Sequence, residues 1–251
     1  MLTSRKLANG VYRRPNRKSA PQQYYLLMCG AVSGLSIYGA VRTVLAQPWT
    51  APPVSQGVAA AGVVLAVAWF SVLMAQTVLV QLQRSFDHRR LGAFGAMVGL
   101  ASPCVAVAGA VLRAQERANL SPELYAQAEV MVVVHLLNAV IFMICLSLAV
   151  ARRETSDFHR RWMVMAMLAL VPEAVMGRDP TALGLLTIYG VTDSLLLVSL
   201  GRDRFRLGRV HRAYRTGVWP LILVQAMALG LYIGRWPALL DVIDSGLSGR
   251  I

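Results

Sequence analysis

Apolar residues run along the chain in seven blocks, about 23–46, 57–82, 91–113, 126–150, 161–177, 181–200 and 217–234, separated by short polar stretches carrying Pro, Gly or charge. Apolar runs of about 18 or more residues are long enough to cross the hydrocarbon of a bilayer as helices. The pattern therefore predicts an all-α fold, an integral membrane bundle of seven transmembrane helices over residues 23–234. A basic tail, 1–22, precedes it and a short tail, 235–251, follows. The fifth and sixth blocks are short and meet at a tight "GRDPT" turn, residues 177–181. No stretch has room for a separate soluble domain.

Composition agrees with this reading. Of 251 residues 56% are hydrophobic and only 15% charged, against about 25% charged in a typical soluble domain. A net charge of +13 would point to nucleic acid in a soluble protein. Here the arginines stand in short connections between apolar blocks, so the expected partners are the bilayer and its anionic head groups, with other membrane subunits, and no nucleic acid.

The same arginines orient the bundle, because positive loops stay cytoplasmic. Six Lys and Arg lie before the first block, three (Arg84, Arg89, Arg90) between the second and third, and four (Arg152, Arg153, Arg160, Arg161) between the fourth and fifth. Six more, from Arg202 to Arg215, lie between the sixth and seventh. Nineteen of 25 thus fall on one side, which predicts a cytoplasmic N-terminus and a periplasmic C-terminus. Cys29, Cys104 and Cys145 all fall inside apolar blocks and form no disulfide framework. The basic N-terminus lacks an apolar segment ending in a cleavage site, so no cleaved signal peptide is expected. The Ala, Val, Leu and Arg bias is that of a GC-rich bacterium, which implies the inner membrane.

Two connections repeat a motif. "SFDHRR" occupies 85–90 and "SDFHRR" occupies 156–161, each opening an outgoing helix, and "VHRAYR" at 210–215 opens the seventh. Ser85 or Asp87, and Ser156 or Asp157, are placed to cap these helices, and the arginines to snorkel to lipid phosphates. Pro103, Pro172 and Pro220 lie further along the three helices, as in a diverged internal repeat of helix pairs. His88 and His159 read either as interfacial polar residues or as ligands of haem or a metal. Gly92, Gly95 and Gly99 follow His88 at helical spacing, a smooth face that admits a neighbouring helix or a flat cofactor.

Ionisable residues deep in apolar blocks form a second candidate, because they are costly there. They are Arg42, His135, Glu173 and Asp193, with Asn138 three residues from His135 and Tyr189 four from Asp193. Together they predict a polar cluster towards the outer leaflet, either a ligand pocket or buried ion pairs such as Arg42 with Glu173. His159 and Glu173 share a helix face but stand fourteen residues apart, about 21 Å, so the two candidate sites are distinct. The only lysines are Lys6 and Lys18, which excludes a retinal Schiff base in the seventh helix. No Walker loop, Gly-x-Ser-x-Gly elbow, Cys-x-x-Cys pair or His-Glu-x-x-His run is present. The histidines lie at different depths, against a single zinc site, so no metal site and no catalytic residue is assigned.

"QTVLVQLQRSFDHRRLGAFGA" (76–96), "DFHRRWMVMAMLAL" (157–170) and "GRVHRAYRTGVW" (208–219) resemble a broad group of bacterial multi-pass membrane proteins. That group carries His-Arg-Arg-Leu-Gly followed by His-Lys/Arg-Arg-Leu/Trp-Met, and the likeness covers roughly residues 73–219. The second motif is also similar to that of small membrane proteins linked to cytochrome oxidase assembly, and some relatives are cytochrome b561-like. The resemblance implies haem or quinone chemistry and carries over His88 and His159, with Asp193, as motif positions. The chain departs from it at His211-Arg212, where the group has His-Pro. The leading expectation is a non-enzymatic or redox-accessory protein of the bacterial inner membrane, with haem b bound through His88 and His159 and Gly95 against the macrocycle as the candidate cofactor site. The alternatives are a small-molecule transporter or sensor using the outer cluster, and a structural subunit of a larger membrane complex.

Overall fold

The computed structural model describes residues 19–45, 53–120, 122–175 and 182–234. They form seven α-helices: α1 Ser19–Leu45, α2 Pro53–Gln81, α3 Ser85–Ala118, α4 Pro122–Ala151, α5 Ser156–Val175, α6 Ala182–Leu207 and α7 Arg212–Gly234. Six of them, all but α5, are long and apolar enough to cross a membrane. Large apolar side chains such as Leu27, Val64, Phe94, Met97, Leu197 and Leu223 stand exposed. An apolar exterior of this kind suits lipid and not water. The fold is that of a multi-pass helical membrane bundle.

The helices run past the apolar blocks that predict them. The 34 residues of α3 extend about 51 Å, well beyond the roughly 30 Å of bilayer hydrocarbon, so the helix is longer than a single crossing needs. The largest difference is in α6, which continues through Arg202 and Asp203 to Leu207 where the hydropathy pattern ends at 200. Gly208 then turns the chain with φ 69°, a left-handed conformation that glycine adopts without a Cβ penalty. Between α2 and α3 the chain turns through residues 82–84, with Gln83 at φ 59°. The expected cap of α3 is not formed. Arg84 occupies the cap position with no side-chain cap hydrogen bond, and Asp87 pairs instead with Arg84 Nε at 2.7 Å. The "GRDPT" turn and both chain tails lie outside the described residues.

Helices α1, α2, α3, α4 and α5 pack each on the next, and α5 packs back on α1, closing a ring of five. Helices α6 and α7 lie against α5 and each other, with α7 also on α4. Helix α5 is therefore central. From Trp162 to Val171 every residue except Met163 is buried. It joins Trp69, Phe70, Phe142 and Cys145 in the main core.

Candidate functional site

The helix starts carrying the two His-Arg-Arg motifs meet at one end of the five-helix ring, and a cavity opens there. It measures about 390 Å³, within the range of small-molecule sites. All five helices of the ring contribute: Tyr25 and Cys29 from α1; Trp69, Val72, Leu73, Gln76 and Thr77 from α2; His88, Gly92 and Gly95 from α3; Leu146 and Val150 from α4; and His159, Arg160, Met163, Val164 and Met167 from α5. The polar groups come from the outer turns and the apolar ones from deeper turns. The result is an amphipathic pocket with an apolar floor.

His88 and His159 face one another across this cavity, their ring centres 6.4 Å apart and their planes nearly perpendicular at 88°. His159 Nδ1 lies 2.8 Å from the Ala149 carbonyl oxygen at the end of α4. A carbonyl only accepts, so Nδ1 carries a proton, and of the two neutral tautomers this is the one with the lone pair on Nε2. This outer hydrogen bond is the device that fixes a metal-binding imidazole. His88 Nδ1 is buried and has no hydrogen-bond partner among the described residues. Gln76 Nε2 donates to the His88 carbonyl at 2.9 Å and so ties α2 to the first turn of α3.

The glycine face of α3 is taken up by α2. A Cβ on Gly95 would stand 2.7 Å from Val72 Cγ1, and one on Gly99 would stand 2.5 Å from Trp69 Cζ3. Both distances are below any normal carbon contact, so this face serves close helix packing, while the edges of Gly92 and Gly95 still reach the cavity.

The two arginines of the second motif do different work. Arg161 turns into the bundle, where its side chain is 3% exposed, and meets Asp203 of α6, 1% exposed. Its Nε donates to Oδ2 and its Nη2 to Oδ1, both at 2.7 Å. The fork is bidentate, the strongest form of this pair. Its Nη1 donates to the Asp157 carbonyl at 2.7 Å. Arg160 faces the cavity and lies over the Tyr25 ring at 5.3 Å. Arg202 covers Tyr24 at 4.2 Å and Tyr25 at 5.0 Å. In the first motif Arg89 and Arg90 are both exposed. The repeat in sequence is therefore not a repeat of contacts.

His211 caps α7. The Ala213 amide donates to its Nδ1 at 3.1 Å, so that nitrogen carries the lone pair. Burial, and then the Arg161 guanidinium, hold its imidazole below the usual range. It packs edge-on against Phe158, 4.6 Å between ring centres, and does not line the histidine cavity.

The residues predicted as one outer cluster fall in separate places. Arg42 is exposed near the end of α1, where a cation suits the helix dipole. The side chain of Glu173 lies outside the described residues, and with it the expected Arg42–Glu173 pair. His135 is buried and lines a second cavity of about 110 Å³ with Arg113, Ser102 and Phe70. Asp193 stands beside Gln225 of α7. Tyr189 packs among Val130, Val134, Leu185 and Ala228, and Asn138 is buried with Nδ2 unpartnered among the described residues.

Sequence reasoning missed Asp203, Tyr25, Gln76 and the buried Glu129. A signal for Asp203 was present. Thr192, Leu196, Ser199 and Asp203 recur at helical spacing, and all four are buried.

Compared with protein families, curated proteins and solved structures, the chain finds no match in any of the three.

Proposed function

We propose that this chain is a redox accessory protein of the bacterial inner membrane that holds haem b between His88 and His159. The observation that carries the reading is the convergence of the two motif histidines on one cavity. Two imidazoles on opposite sides of one iron, each bonded at about 2 Å with its ring centre about 1 Å further on, stand about 6 Å apart. The separation here is 6.4 Å. The tautomer of His159 leaves Nε2 free to ligate, and the apolar floor of Trp69, Val72, Leu73 and Leu146 excludes water and keeps the local dielectric low. When bound, an iron porphyrin supplies one-electron chemistry. His88 and His159 hold and orient it, and the surrounding side chains set its exposure. The likeness of both motifs to the bacterial group with cytochrome b561-like relatives supports the same reading. In this proposal α5 also crosses the bilayer, which puts the N-terminus and the arginine-rich end in the cytoplasm and the C-terminus in the periplasm.

The transporter or sensor reading has less support, because the cavity that His135 lines does not count Arg42 or Asp193 among its lining residues. The test is a visible absorption titration of the detergent-purified protein with haem b. A six-coordinate low-spin spectrum at one haem per chain is expected, with loss of that spectrum in both His88→Ala and His159→Ala. A protein that stays colourless, or keeps the same spectrum without either histidine, overturns the proposal.

A further inference from the structure

Resting on the haem reading, we infer that Arg160 and Tyr25 form a carboxylate anchor at the cavity mouth, selecting a porphyrin with free propionates. Both residues line the cavity, and each holds a buried polar atom with no partner among the described residues, Arg160 Nε and Tyr25 Oη. An unmet buried donor is costly, and two of them at the mouth of one apolar pocket are the complement of an anionic oxygen pair on an apolar ring.

The second arginine of the motif cannot serve. Arg161 is turned into the bundle and held there by Asp203 and the Asp157 carbonyl. Among the described residues Arg160 has one ion-pair partner, Asp157, which meets its Nη2. The guanidinium fork of Arg160 keeps its Nε donor without a partner among the described residues, and the Tyr25 hydroxyl adds another donor. Local charge favours the anion as well. Arg160, Arg161 and Arg202 face Asp157 and Asp203, which leaves one positive charge in excess. The doubled arginine thus divides its duties, the first turned to the ligand and the second to the bundle.

The experiment is an absorption titration with two probes, haem b and its dimethyl ester, in nanodiscs of zwitterionic lipid and again with anionic lipid. Wild type should bind haem b about 10–100-fold more tightly than the ester, the worth of a charge-assisted hydrogen-bond pair. Arg160→Gln should lose that preference and bind both probes like the ester. Arg160→Lys, which keeps the charge without the fork, should recover part of it, and Tyr25→Phe should lose a smaller share. Equal affinity of wild type for both probes overturns the anchor while the haem reading stands. A preference lost on Arg160→Gln only in anionic lipid makes the arginine a lipid contact and also overturns it. Wild type that takes up neither probe overturns the anchor together with the haem reading.

Discussion

Replacing Asp203 with Asn removes the charge that faces Arg161 and keeps the shape. Arg161 is 3% exposed and loses a bidentate partner held by two bonds of 2.7 Å. Its remaining ties are the Asp157 carbonyl at 2.7 Å and the Asp157 carboxylate at 3.6 Å. Breaking a buried pair on one side costs about 3–5 kcal/mol, because the stranded charge stays buried. At about 2–4 °C per kcal/mol for a chain of this size, the melting temperature in detergent should fall by roughly 6–20 °C. The reverse change, Arg161→Met, strands Asp203 with only the His211 amide at 3.4 Å and Arg202 at 3.9 Å. The double change Arg161→Met/Asp203→Leu removes both charges and should melt well above either single variant, near wild type. Thermal unfolding followed by circular dichroism measures all three. Single variants that melt within about 2 °C of wild type, or a double variant whose loss equals both single losses combined, would refute the reasoning.

Three further outcomes are expected. Gly99→Ala drives a methyl into Trp69 and should destabilise by about 1–3 kcal/mol, whereas Gly34→Ala, with open space beside it, should melt at or above wild type. His211 has a lowered affinity for protons in the fold, so its contribution to stability is complete above about pH 6.5, its unfolded value. That contribution should be lost as pH falls through its folded value, and His211→Asn, which can still cap α7, should flatten this part of the pH–stability curve. A reporter placed in the connection at residues 208–211 should be cytoplasmic and one fused after Ile251 periplasmic. A cytoplasmic C-terminus would mean that an even number of helices crosses.

The helices were legible because burial in lipid leaves long apolar blocks, and a period near 3.6 needs no partner to be seen. Their ends were less so. Hydropathy reads the charged turns of α6 as a loop, although the backbone stays helical to Leu207. Asp203 was hidden for that reason among six arginines. The convergence of His88 and His159 was half legible: the motif marked both residues, but only the closure of α5 against α1 brings their helix starts around one cavity. Gly95 left a cofactor and a neighbouring helix equally open, and Val72 supplies the distinguishing contact. How the outer residues group was not legible, because depth along a helix says nothing of azimuth. His135 and Asp193 stand on helices whose facing sides only packing defines.

The enclosure of α5 also bears on how the chain enters the membrane. A helix offered to lipid one at a time is judged by its own apolarity, and α5 opens with Asp157, His159, Arg160 and Arg161. The counter-ion for Arg161 lies 42 residues further on, in α6, and reaches the membrane only after that helix has been synthesised. The start of α5 and the end of α6 are thus tied by one charge pair, and neither charge is matched until both helices are in place. Because α5 also closes the ring against α1 and α4 and supplies His159, the histidine cavity depends on the same joint.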